Sequence, residues 1–207
     1  MGGWFITFEG GEGAGKSTMI NHCRRWLQDH GHQVVTTREP GGTELAEKIR
    51  SIVLARDNGN LCAVAELLLL FASRAQHLHE LIRPALSEGK TVLCDRFTDA
   101  SWAYQGGGRG LPAATIAALE GIVHGDLRPD LTILLDLPVE TGLERVTGRG
   151  AVDRIEQEEP EFFERVRDTY LARAAEEPRR FVVINAAEDP ATVWQHIETA
   201  LRQRLVR

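Results

Sequence analysis

The chain has 207 residues, 43% of them hydrophobic, and its 30 acidic side chains outnumber 24 lysines and arginines to give a net charge of −6. That length and apolar content suit one sizeable core, so a single domain over 1–207 is the expected organisation. The acidic balance argues against a nucleic-acid backbone or an anionic membrane as the main partner, while a small anionic ligand needs only a local positive pocket.

In chain order, "WFITFE" (4–9) is an apolar, β-rich run that breaks into Gly10-Gly11-Glu12-Gly13-Ala14-Gly15-Lys16-Ser17. A helical pattern follows over 15–29, then a strand pattern "QVVTTR" (33–38), the turn "REPGGT" (38–43) and a helix over 43–55 that Thr43 is placed to start. Residues 64–86 repeat Val64, Leu67, Leu68, Phe71, Ala75, Leu78, Ile82 and Leu86 at spacings of three and four, which predicts a long amphipathic helix with a kink near Pro84. "TVLCDR" (91–96) reads as a strand, 112–123 as a helix, "LTILLDL" (131–137) as a strand and 139–147 as a helix. Helix 160–176, strand "RFVVINA" (180–186) and helix 190–204, started by Asp189 before Pro190, complete the chain.

Several of these strands are apolar on both faces, as strands buried under helices on both sides must be, and strand–helix alternation implies a parallel sheet. Function then belongs at the carboxyl ends of the strands. Cys23, Cys62 and Cys94 form no C-x-x-C pair, and neither a secretory leader nor a membrane-length apolar stretch is visible. Reduced thiols and a cytoplasmic location are expected. His77/His79 and His30/His32 stand two apart, which does not put two ligands on one helical face, so no structural metal is expected there.

The run Gly10–Ser17 satisfies G-x-x-x-x-G-K-[ST] between a strand and a helix. Its glycines let backbone N–H groups turn toward phosphates, the helix start adds positive potential, Lys16 reaches the outer phosphates and Ser17 is a Mg²⁺ ligand of the right kind. Such a loop serves small-molecule kinases, switches and mechanical ATPases alike. No [NT]-K-x-D sequence for reading guanine is present.

Asp95 and Arg96 end a core strand at the same sheet edge as this loop, where Asp95 is placed to orient Mg²⁺ or its waters and Arg96 to clamp an acceptor phosphate. On the long helix, Arg74 sits against a mainly apolar stripe and needs a partner. Two readings stand for it: a snorkelling arginine beside a core Phe71, or a cleft in which Phe71 stacks on a planar ligand and Arg74 bonds its carbonyl.

The motifs "FEGGEGAGKST", "REPGGT", "LLFASRAQH", "LCDRFTDASWAYQG", "RPDLTILLDLPVETGLERV" and "GRGAVDRIEQE" together resemble those of bacterial thymidylate kinases, in the same order and over nearly the whole chain. The resemblance implies a P-loop nucleoside monophosphate kinase fold with a five-stranded parallel sheet flanked by helices. It implies phosphorylation of dTMP to dTDP by ATP with Mg²⁺, and a homodimer. It places Gly10 to Thr18 around ATP, Glu39, Pro40 and Arg96 at the acceptor phosphate, Phe71 on the thymine ring, Arg74 on a ring carbonyl, Ser101 and Gln105 along the base pocket, and Tyr104 against the ribose 2′ position. The metal end would be Ser17, Glu9 and Asp95. A lid at about 147–159 would bring Arg149 and Arg154 over the phosphates as catalytic residues beside Lys16 and Arg96. Some family members carry an arginine in the P-loop; here Glu12 stands among its variable positions, which points to the lid for catalytic charge and suggests Glu12 as the partner that draws it closed.

Overall fold

A computed structural model describes residues 3–58, 61–146 and 153–205. Strands β1 (Phe5–Glu9), β2 (Val34–Arg38), β3 (Thr91–Asp95), β4 (Leu131–Asp136) and β5 (Phe181–Asn185) form one sheet in the order β2-β3-β1-β4-β5, all neighbours parallel. β1 is central because it is buried along its whole length, and it pairs Phe5 with Val92 on one side and Ile6 with Leu131 on the other. The crossovers put helices on both faces, as the doubly apolar strands require. Helices α1 (Lys16–Asp29) and α9 (Pro190–Arg204) pack Met19, Cys23, Leu27, Val193 and Ile197 into one core with Ile6, Phe8, Ile133 and Leu135 of the sheet.

Helix α2 (Glu44–Leu54) packs on α3 (Ala63–His77). The long helix expected over 64–86 does continue, but through a π-helical turn at Leu78–Ile82 into α4 (Arg83–Ser87), so the irregularity begins ahead of Pro84 rather than at it. The wider turn shifts the helical phase by one residue and accommodates the donor that proline lacks. After β3, α5 (Thr98–Ser101) runs into a second π-helical stretch, Trp102–Gly108, to which the sequence pattern assigns no element. Its glycines admit the next layer: a Cβ on Gly107 would lie 2.0 Å from Thr169 Oγ1 of α8 (Pro160–Glu176).

Helices α6 (Ala113–Val123) and α7 (Val139–Val146) and a short 3₁₀ turn at Ile155–Gln157 complete the described residues. Asp189 caps α9 as expected, accepting from the Ala191 and Thr192 amides. Thr43 does start α2, but its hydroxyl makes no cap bond. Among the described residues no helix is long and apolar enough to cross a membrane.

Candidate active site

The carboxyl ends of β1, β2 and β3 open into a cavity of about 300 Å³. The loop after β1 lines one end with Glu12, Gly13, Ala14, Gly15, Lys16, Ser17 and Thr18, and the other end is walled by Leu70, Arg74, Phe97, Ser101, Tyr104 and Gln105. Asp95, Arg96, Glu39, Pro40 and Arg50 stand between the two. The loop keeps its shape through glycine: Gly13 has φ +69, and a Cβ there would meet the Gly142 carbonyl of α7 at 2.3 Å. Lys16 Nζ donates to the Gly10 and Gly11 carbonyls at 3.1 and 2.9 Å. Burial and the Arg96 charge lower its pKa.

Arg96 is the hub. It is the one non-glycine with positive φ among the described residues, at +65, a conformation that costs energy and recurs at functional sites. Nη1 donates to the Gly10 carbonyl (2.9 Å) and to the Tyr170 hydroxyl (3.3 Å), and Nη2 donates to Glu12 Oε1 (2.6 Å). Tyr104 also donates to Glu12 Oε1, at 2.7 Å, with the Arg96 guanidinium 4.8 Å above its ring centre. Burial works to raise the Glu12 carboxyl, but Arg96 and Lys16 outweigh it and hold Glu12 below its ordinary range. Among the described residues, Glu12 is thus the partner of Arg96 and Tyr104.

At the other end Arg74 is 3% exposed and nearly saturated. Nε donates to Glu39 Oε2 (2.6 Å), and Nη2 donates to Phe97 O and Ser101 Oγ, both at 3.1 Å. His77 Nδ1 meets the other Glu39 oxygen at 3.1 Å, and its Nε2 meets Thr37 Oγ1 at 2.7 Å. Burial would raise the Glu39 carboxyl; Arg74 and His77 reverse that and hold it low. Arg74 Nη1 is buried and finds no hydrogen-bond partner among the described residues. The guanidinium carbon lies 4.6 Å from the Phe71 ring centre and 5.3 Å from that of Phe97.

A thymidylate kinase family model matches residues 8–197. A thymidylate kinase of Pseudomonas syringae pv. syringae is 57% identical over 205 residues, covering 99% of this chain and 98% of the relative. One from Alcanivorax borkumensis is 56% identical, covering 95% of each. The chain belongs to the thymidylate kinase family. Among solved structures, the crystal structure of thymidylate kinase from Ehrlichia chaffeensis superposes with a TM-score of 0.80 at 34% identity, covering 98% of this chain and 99% of that one. The five-stranded parallel sheet flanked by helices is the P-loop nucleoside monophosphate kinase fold of that family.

Within this frame three residues sit elsewhere than the resemblance implied. Phe71 is 2% exposed and packs inward with Leu67 and Ile116; the Arg74 guanidinium lies 4.6 Å from its ring centre, and it is Leu70, one residue earlier, that lines the cavity. Glu9 is fully buried below the cavity, its oxygens accepting from the Phe97 amide (2.7 Å) and the Tyr170 hydroxyl (2.8 Å). Burial, with the Asp99 charge next, pushes its carboxyl up to about 7. Of the three metal candidates, Ser17 and Asp95 do line the cavity, and their hard-oxygen groups suit a divalent ion. Arg154 is 8% exposed, donates from Nε to the Val53 carbonyl at 2.9 Å and from Nη2 to Glu66, and turns away from the cavity. Arg149 lies outside the described residues.

From the sequence, Leu70, Arg50 and Tyr170 receive no site role and His77 is weighed only as a metal ligand, whereas its ring meets Glu39 and Thr37. Arg50 donates to the Pro40 carbonyl at 2.9 Å and lines the cavity between the two ends. A helix that returns across the "REPGGT" turn carries it there, and its place two turns along the helix that Thr43 starts was the available signal.

Proposed function

We propose that the cavity performs the thymidylate kinase reaction, dTMP and ATP giving dTDP and ADP, with the base against Leu70 and Arg74 and the ATP phosphates on Gly10–Thr18. The lining of one cavity by the phosphate loop and by Arg74, Ser101 and Gln105 carries this reading: the Arg74 guanidinium stands at the base end in a frame fixed by Glu39, Ser101 and Phe97 O. Gln105 and Ser101 wall the same pocket, and the buried Tyr104 ring closes the sugar side against a 2′-hydroxyl.

Mg²⁺ is the divalent ion proposed, held by Ser17 and Asp95, and it supplies charge neutralisation on the ATP phosphates. The chain's own part is positioning. Glu39 and Pro40 shape the acceptor-phosphate end, where the Arg96 fork and Arg50 bring positive charge between the two phosphate groups. Lys16 stands at the donor phosphates. Phosphoryl transfer needs little covalent chemistry from a protein, so fixed cations around the transferring group account for catalysis. A lid over about 147–159 would close the site, with Arg149, outside the described residues, as the lid cation.

We also propose a cytoplasmic homodimer. Leu45 and Ile52 on α2 and Val64 and Leu68 on α3 are 46–52% exposed and share one helical layer, the apolar area a second copy would cover.

An ADP-release assay across dTMP, dUMP, dCMP and UMP tests the function. Preference for dTMP is expected; equal rates for all would overturn the base-pocket assignment.

A further inference from the structure

One buried cluster outside the phosphate end remains unaccounted for. Glu66 on α3 is 1% exposed and accepts hydrogen bonds from the lid segment and from the base pocket at once. Its Oε1 accepts from Gln105 Nε2 at 2.8 Å and from Arg109 Nε at 3.4 Å. Its Oε2 accepts from Arg154 Nη2, and from Arg109 Nη2 at 3.3 Å. Arg109 in turn donates to Glu158 Oε1 at 2.5 Å.

Two guanidiniums face two carboxylates, so the cluster is neutral, and it is stapled to α2 by the Arg154 bond to Val53 O and by the Arg154 amide to Leu54 O at 3.3 Å. The chain around it is directional. Asp153, Ile155 and Glu156 line the cavity while Arg154 between them points into the cluster. Asp153 Oδ1 fixes that turn by accepting from the Ile155 and Glu156 amides at 2.8 and 3.0 Å. An arginine held this way is committed to Glu66, since releasing it leaves a buried carboxylate with only the Gln105 amide and the longer Arg109 contacts at 3.3 and 3.4 Å.

We infer that Arg154 is a positioning residue, acting through Glu66 to fix Gln105 in the base pocket and to tie residues 153–158 to α2 and α3, and that it does not contact the transferring phosphoryl group. Removing Arg154 leaves Glu66 to the longer Arg109 contacts and frees it to shift, and neutralising Glu66 weakens the acceptor that holds the Gln105 amide. The inference rests on the base-pocket reading above, and its consequence is a change in dTMP binding that is already present without ATP.

The test is calorimetric titration of dTMP into wild type, Glu66→Gln, Arg154→Ala and the double variant, without ATP, alongside titration of a non-hydrolysable ATP analogue and kcat. Each single variant is expected to weaken dTMP by about tenfold, in line with coupling inside one buried network, and the double variant by no more than the worse single. Affinity for the ATP analogue stays within about twofold of wild type, a split that general destabilisation would not produce. Arg154→Lys, which keeps a cation beside Glu66, restores most of the dTMP affinity.

Normal dTMP affinity in Arg154→Ala with kcat down about 10³-fold would overturn the inference, because that is the signature of a charge on the transition state. If Arg154→Ala does not fold, Glu66→Gln decides: unchanged dTMP affinity overturns the inference and a selective loss upholds it. Failure of wild type to bind dTMP would instead sink the pocket assignment itself.

Discussion

Leu70 and Phe71 are adjacent, yet the structure gives them opposite tasks, and that division is measurable. Leu70 lines the cavity, whereas Phe71 fills the core beside Leu67 and Ile116. Leu70 is 8% exposed, so only about 15 Å² of it is left for the base to cover, and at about 25 cal/mol/Å² Leu70→Ala loses ~0.4 kcal/mol, or roughly twofold in the dTMP dissociation constant. Stability should fall by less than the range for a fully enclosed leucine, since the vacated volume opens into the cavity. Phe71→Ala leaves an enclosed void and costs about 3–5 kcal/mol of stability, or ~6–20 °C in Tm for a domain of this size. Phe71→Leu keeps most of the volume and should bind dTMP within about threefold of wild type. Calorimetric titration with dTMP and thermal unfolding of all three variants separate the cases. A Phe71→Leu protein that folds normally but binds dTMP more than about tenfold weaker, beside a Leu70→Ala protein that binds normally, would refute the assignment and return the base to Phe71.

Glu9 links stability to pH: its carboxyl moves from an ordinary 4.5 to about 7 in the folded chain, so the folded state holds that proton more tightly. Its contribution is therefore complete below pH 4.5 and lost as pH rises through 7, and Glu9→Gln should gain on wild type by about 3 kcal/mol between pH 5 and pH 8 in urea unfolding, a constant difference refuting it. Asp99 is fully buried between Arg173 Nε (2.7 Å) and Arg180 Nη1 (2.6 Å), so Asp99→Asn should lower stability by about 3–5 kcal/mol, and an unchanged Tm would show that the cluster relaxes. Arg96→Lys loses the fork that spans Gly10 O, Tyr170 and Glu12, and kcat/KM for dTMP should fall about 10–150-fold, the range of a charged hydrogen bond; near-normal activity would remove Arg96 from the acceptor site. Leu68→Asp, on the exposed α3 face, should shift the sedimentation species from dimer to monomer with the fold intact, whereas a monomeric wild type would end the dimer proposal.

Strand and helix assignments were legible because each strand is a short apolar run and each helix a clear three-four repeat; β3 and β4 were placed to within a residue at each end. The stretch after Phe97 was not, since a π-helical turn carries neither period and is held by α8 rather than by its own pattern. The phosphate end was readable from local spacing, because the loop's own backbone builds it. The base end depends on helical phase. A slip of one residue exchanges Leu70 with Phe71, and nothing in "LLLLFASR" fixes which of them meets the cavity. Glu9 and Glu12 were read from the phosphate-loop motif and Arg154 from the lid motif, but their partners Tyr170, Tyr104 and Glu66 are 161, 92 and 88 residues away. Such pairs are invisible to any local pattern.

The central position of β1 also sets a timetable for synthesis. Ile6 pairs with Leu131, and Phe5 with Val92, so the strand that presents the phosphate loop has no neighbour on either edge until much later chain has been made. At translation rates of about 5–20 residues per second, β4 follows β1 by ~6–25 s. During that interval an apolar strand with two open edges is exposed in the nascent chain, the condition under which strands find wrong partners. The arrangement that makes β1 the best-protected strand of the finished enzyme makes it the most vulnerable one on the ribosome.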